Sequence, residues 1–224
     1  MLRTDNDIQE DLVAELKWEQ GTHDEDIAVS VRDGVVTLAG TVDSYADKWK
    51  AERVATRIEG VKAIANNIEV RLPSSSERSD SDIAHAAAEA LKWNIWVPED
   101  RVKVKVSNGW LTLEGEVDWY YQKEEADRAL RKRVGIKGIS NLIAVKKRPL
   151  PHDVKEQIKR ALARSAEFDA DRISVEVSGD KVILSGTVRS YVEKRDAERA
   201  ARNAPGVTQV ENRITVDPSI PAPV

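Results

Sequence analysis

Apolar positions at the start of the chain change period twice, and each change marks an element. Ile8, Leu12 and Leu16 fall at helical spacing with Val13 alongside, which predicts a helix stopped by Gly21. Ile27, Val29 and Val31 then alternate with Ala28, Ser30 and Arg32, the period of a strand with one face inward. Asp33-Gly34 is a two-residue turn of the kind that closes a tight hairpin. The returning strand points Val36, Leu38 and Val42 inward, with Gly40 in the same register, where a missing side chain predicts close approach of a helix. Ser44-Tyr45-Ala46-Asp47 has capping-box spacing and opens a second helix with small inward residues, Ala51, Val54 and Ala55. Gly60 ends that helix, and Ile64, Asn66, Ile68 and Val70 form the inward face of a third strand. The unit reads helix, hairpin, helix, strand.

The same pattern returns twice. Gly40 aligns with Gly115 and Gly186, at offsets of 75 and 71 residues, and the same offsets carry Tyr45 onto Tyr120 and Tyr191 and Asn66 onto Asn141 and Asn212. No internal gap is needed, so the difference in offset lies in the linkers around Pro73-Ser74-Ser75-Ser76 and Lys146-Lys147-Arg148-Pro149. The predicted fold class is α+β: three tandem αββαβ units over 4–72, 79–147 and 150–217, each a three-stranded sheet with two helices on one face, followed by a Pro-rich tail at 218–224. Gly34 and Gly109 are turn positions, Gly40, Gly115 and Gly186 inward strand positions. Asn66, Asn141 and Asn212 are expected to satisfy loop backbone groups at a strand start. Units of this size sit near the lower limit for independent stability. The weakly polar outward face of the first sheet, Ala28, Ser30, Val35, Thr37, Ala39 and Ala65, is expected to be covered by a neighbouring unit.

Composition narrows the chemistry. The 224 residues carry 35 Lys and Arg against 39 Asp and Glu, so no chain-wide polyanion-binding surface is expected and nucleic acid is not an expected partner. Cysteine is absent, which removes disulfides, thiolate metal sites and cysteine nucleophiles. No stretch resembles a signal peptide or a membrane span. As numbered, the chain is expected in the cytoplasm, peripheral at the membrane; a periplasmic place would require an export signal beyond this sequence.

The run Asp26-Ile27, Val29, Val31, Gly34, Val36, Leu38, Gly40, Val42, Ala51, Ala55, Gly60-Val61, Ile64, Asn66 and Val70 resembles the BON domain, named for bacterial OsmY and nodulation proteins, and all three units carry it. The resemblance implies the αββαβ fold, a non-enzymatic role in envelope or osmotic stress and binding of phospholipid surfaces. OsmY-like relatives are commonly exported or lipid-anchored, whereas this sequence shows neither a signal peptide nor a lipobox cysteine.

Residue chemistry agrees with a non-enzymatic reading. His23, His85 and His152 occupy three different repeat positions, so they form no recurring site, and no cofactor or metal is expected. Asp24-Glu25-Asp26 lacks the glycine-centred loop of a calcium site, and no phosphate loop or nucleophile elbow occurs.

What remains uneven is the middle unit. It holds six of the chain's eleven aromatic residues and is the only unit with net positive charge, 14 Lys and Arg against 12 Asp and Glu over 73–148. Trp119 stands where the other units have Ser44 and Ser190, ahead of a helix bearing Lys123, Arg128, Arg131, Lys132 and Arg133. Trp93 matches Trp18 of the first unit and is read as packing against a neighbour, whereas Trp96 and Trp110 have no aromatic counterparts. Aromatics beside cations suit an anionic bilayer interface. The expected function is therefore peripheral binding of anionic phospholipid in a stress-related role, through Trp96, Trp110 and Trp119 with Lys123, Arg128, Arg131, Lys132 and Arg133. The alternative is a protein-interaction or chaperone-like scaffold without lipid binding.

Overall fold

The computed structural model describes residues 3–19, 26–147, 151–164 and 172–220. The helix stop at Gly21, His23, the carboxylates of Asp24 and Glu25, part of the second linker and the tail from Pro221 lie outside the described residues.

The first unit runs α1 (Asp5–Trp18), β1 (Ile27–Arg32), β2 (Val35–Val42), α2 (Tyr45–Arg57) and β3 (Ala63–Val70). Thr4 and Asp7 exchange capping hydrogen bonds at the start of α1, which buries Ile8, Leu12 and Leu16. The turn between β1 and β2 takes positive φ at both Asp33 (52°) and Gly34 (78°), and its two N–H groups donate to the Asp5 carboxylate at 2.7 and 2.8 Å. The first helix thereby clamps the tip of the hairpin. β3 returns parallel to β2, so β2 is central in the order β1-β2-β3. Both helices pack on one face, over Val36, Leu38 and Val42.

The second unit repeats this with α3 (Asp80–Lys92), β4 (Val102–Ser107), β5 (Trp110–Val117) and α4 (Tyr120–Leu130). Its last strand is split into β6 (Gly138–Asn141) and β7 (Ala144–Val145), both paired with β5. The third comprises α5 (Val154–Arg164), β8 (Ile173–Ser178), β9 (Lys181–Val188), α6 (Tyr191–Arg202) and β10 (Gln209–Val216). Asp80 clamps the Asn108-Gly109 turn as Asp5 does, at 2.8 and 2.9 Å. Pro151 takes that place in the third unit, where Asp180 of the turn instead accepts from the Thr208 hydroxyl at 2.6 Å.

Three expectations are corrected. Gly40, Gly115 and Gly186 do not admit a helix. Each has a positive φ, and a Cβ would stand 1.9–2.0 Å from the carbonyl oxygen of Asp26, Arg101 or Arg172 at the entry of the neighbouring strand. Asn66 and Asn212 lie within the third strand and serve strand groups rather than a loop, whereas Asn141 ends β6 and serves the break before β7. Their amides donate across the layers to the carbonyls of Lys48, Lys123 and Lys194 in the second helix. Their Oδ1 atoms accept from Ile68, Ile143 and Ile214. In the first two units the lysine ammonium returns to the carbonyl of that same isoleucine, at 2.7 Å. A strand residue points its N–H and C=O to the same side, so this Asn–Lys clip occupies the outer edge of the last strand. Finally, the outward face of the first sheet is open: Ala28 and Ser30 are exposed and Val35 is 40% exposed.

The units meet through their second helices instead. Tyr45 packs against the core of the second unit and Tyr191 against that of the first. Tyr120 lies under Arg202 of the third, 5.2 Å from guanidinium carbon to ring centroid. Each tyrosine opens its helix and meets the C-terminal half of the next, so α2, α4 and α6 form a head-to-tail triangle that closes at three.

Gly115→Ala is expected to cost about 1–3 kcal/mol or more in urea unfolding, because the Arg101 carbonyl blocks even a methyl group. A tolerated alanine beside a disruptive valine would put the obstruction in the helix layer. For the triangle, Tyr45→Ala should lower stability by about 1–3 kcal/mol and enlarge the radius of gyration in small-angle scattering. If melting temperature and radius both stay put, the linkers alone hold the units together.

Candidate functional site

Each second helix has two working faces. In α2, Ala51, Val54 and Ala55 enter the unit's own core, while Tyr45, Trp49, Glu52, Arg53 and Thr56 recur at 4, 7, 8 and 11 residues along the opposite stripe. The repeat carries this stripe onto Tyr120, Glu124, Asp127, Arg128 and Arg131 in α4, and onto Tyr191, Arg195, Glu198, Arg199 and Arg202 in α6. The three stripes surround an open cavity of about 1330 Å³ at the centre of the triangle.

At the corners, burial raises the pKa of each tyrosine hydroxyl, helped for Tyr45 by the Asp127 carboxylate. Asp127 is held by Arg131 on its own helix, and Arg131 also lies over Trp49 of the first unit at 4.7 Å. Glu198 is held by Arg202 at 2.7 Å. The matching position in the first unit is Thr56, which is buried and donates to the Arg53 carbonyl, while Glu52 accepts from Asn66 at 3.0 Å. Arg199 crosses to Glu124 of the second unit at 3.5 Å.

The structure disperses the residues singled out in the sequence. Trp96 is 56% exposed at the end of the second unit where α3 finishes, with its ring edge-on to Tyr121 at 6.2 Å. Trp110 is 49% exposed at the opposite end of the sheet. It lies across Gly138 on the outer face and donates its indole N–H to Ser140 at 2.8 Å. Trp119 is half-buried at the start of α4, where the Gln122 side-chain oxygen accepts the N–H of Trp119 and Asp118, each at 3.0 Å. Lys123 is part of the Asn–Lys clip, and burial, with the neighbouring Arg202 charge, lowers its pKa. Arg128 binds Glu125 at 2.6 Å and Arg131 binds Asp127, whereas Lys132 and Arg133 are exposed at the end of α4. Trp96 and Trp119 therefore share one end of the unit, and Lys132 and Arg133 sit at the other with Trp110.

The most exposed indoles are others. Trp18 is 84% and Trp93 is 81% exposed, so Trp93 does not pack against a neighbour as its match to Trp18 led us to expect. Each ends its first helix directly after an exposed lysine, Lys17 or Lys92, and Ile95 beside Trp93 is 87% exposed. The helical phase carries this signal: Trp18 follows buried Leu16 by two residues and Trp93 follows buried Leu91 by two, which turns both away from the core. His85 and His152 are exposed, and among the described residues no three His, Asp or Glu side chains group as metal ligands.

Among solved structures, the chain is similar to CdsD, the structural protein of the type III secretion system of Chlamydia trachomatis. One CdsD structure is 15% identical, covers 93% of each chain and has a TM-score of 0.27. Its C-terminal domain is 13% identical over 96% of this chain and all of that one, also at a TM-score of 0.27. Osmotically-inducible protein Y of Escherichia coli (strain K12) is 32% identical over 126 residues, 54% of this chain, and the chain spans 62% of that protein's length. The BON domain model matches three times, at residues 4–71, 79–147 and 152–218. With the αββαβ unit present three times and the model matched across nearly the whole chain, the protein belongs to the BON domain family.

Proposed function

We propose that this is a non-enzymatic, stress-related binding protein that seats peripherally on anionic phospholipid through the rim formed by the C-terminal ends of α1 and α3. The observation that carries the reading is the pair Lys17-Trp18 and Lys92-Trp93, exposed in both units at the same repeat position. Ile95 and Trp96 extend the second pair. Indoles lie stably at headgroup depth, and each lysine at an anionic surface adds about 1 kcal/mol. Arg164 stands at the matching position of the third unit and supplies a further cation there. Among the described residues no helix is long and apolar enough to cross a membrane. The stress role rests on membership of the family together with the osmotic induction that the Escherichia coli relative's name states.

Relative to the sequence reading, Trp96 is retained, Trp18 and Trp93 replace Trp110 and Trp119, and Lys17 and Lys92 replace the basic residues of α4. Vesicle co-sedimentation at two ionic strengths tests this. Wild type should bind anionic vesicles in low salt and lose much of that binding in high salt, with little binding to zwitterionic ones. Trp93→Ser with Trp96→Ser, or Lys17→Glu with Lys92→Glu, should abolish it without altering the circular dichroism spectrum, whereas Lys132→Glu with Arg133→Glu should leave it in place. Absence of binding to anionic vesicles at either salt would overturn the reading and leave the rim as a protein-docking face.

A further inference from the structure

Beyond the rim, we infer that the centre of the helix triangle is a binding site for a compact polyanion carrying several phosphate groups. Eight Lys and Arg and six Asp and Glu line this cavity, in a chain whose net charge is -4. The repeat places Arg53, Arg128 and Arg199 at one equivalent position, so all three units direct a guanidinium to the shared centre.

Much of the acidic lining is already occupied by the fold. Glu52 and Glu198 accept from Asn66 and Asn212 at 3.0 and 3.2 Å, and Asp47 accepts from the Ser44 hydroxyl that caps α2. The cations are differently placed. Arg53, Arg128 and Arg199 keep side chains 44, 55 and 51% exposed, and each pairs directly with a carboxylate: Glu19 at 3.3 Å, Glu125 at 2.6 Å and Glu124 at 3.5 Å. Exposed pairs of this kind are weak, so a multivalent anion exchanges for them readily. Lys132 and Arg195 line the same cavity and make no ion pair among the described residues. Guanidinium groups bind phosphate through two parallel hydrogen bonds, and arginines arriving from three directions suit several phosphates on one scaffold better than one isolated phosphate. The cavity volume of about 1330 Å³ admits such a ligand with its remaining water.

A ligand gripped by α2, α4 and α6 together binds only the closed triangle and therefore stabilises it by linkage. The same phosphate cluster occurs in free phosphorylated metabolites and in polyphosphorylated lipid headgroups, and the test separates them. Isothermal titration of the full chain with inositol hexakisphosphate should give saturable binding near one per chain, weakened by salt, with a raised melting temperature. Lys132→Gln with Arg195→Gln removes no internal ion pair and should weaken binding about tenfold or more without lowering the melting temperature of the unliganded protein. Lys103→Gln, on the outer sheet face, should bind as wild type does. Trp93→Ser with Trp96→Ser should retain probe binding even if vesicle binding is lost, which keeps this site's failure distinct from that of the rim. Displacement of the probe by vesicles containing phosphatidylinositol bisphosphate identifies a lipid headgroup as the source, and no displacement identifies a free metabolite. No saturable heat, or equal affinity in the Lys132 and Arg195 variant, would overturn the inference.

Discussion

A tyrosine that leaves its own unit and closes on the next is the contact on which the assembly rests. Tyr45, Tyr120 and Tyr191 run in one direction round the chain, from first unit to second, second to third and third back to first. Such an interface is heterologous, and it is satisfied without loose ends only if the rotation between units closes. Here it closes at three, within one chain. A phenol suits the contact because its ring brings apolar area while its neutral hydroxyl, whose pKa burial raises further, tolerates the adjacent carboxylate. Units near the lower size limit for independent stability gain from each corner what a small core supplies poorly.

The strand edges explain why assembly uses the helix layer. A three-stranded sheet has two open edges, and the last strand is one of them. The Asn–Lys clip takes up the N–H and C=O of Ile68 and Ile143 on that edge, so another strand finds those groups already bonded. The clip also ties the second helix to the sheet, holding the tyrosine stripe at a fixed angle. The clip and the corner contact are thus linked through a single helix: one face is anchored at home and the other is presented abroad.

The repeated αββαβ unit was legible because its signals are local: the change of apolar period, Asp33-Gly34 and Asn108-Gly109, and the caps at Ser44 and Ser190. The reason for Gly115 was not, since a carbonyl reaching over from the neighbouring strand leaves no mark in the pattern. Nor was the Asp5 clamp, which joins residues far apart in the chain. The triangle lay half in view. Tyr45, Tyr120 and Tyr191 align, and so do Arg53, Arg128 and Arg199, but a polar stripe at helical period reads equally well as a wet surface until its partner is known. Composition points to the aromatic and basic residues of the middle unit, but it ignores helical phase. Lys123 counted as a free cation although its position, like that of Lys48, points it at the sheet edge.

The ring acquires individuality where the repeat breaks. Along the inner stripe one position is Trp49, Glu124 and Arg195 in turn, so three equivalent places carry an apolar, an anionic and a cationic group. A strictly repeated residue there would bring three like charges or three indoles together at the centre. The observed set instead lets Arg199 bind Glu124 across a corner and lets Trp49 lie beneath Arg53 and Arg131. The rim breaks the repeat in the same sense, with Trp18 and Trp93 answered by Arg164. Positions that build the unit recur because every copy meets the same folding constraint. Positions facing the centre or the rim lie outside that shared constraint, and there the three copies are free to differ in chemistry.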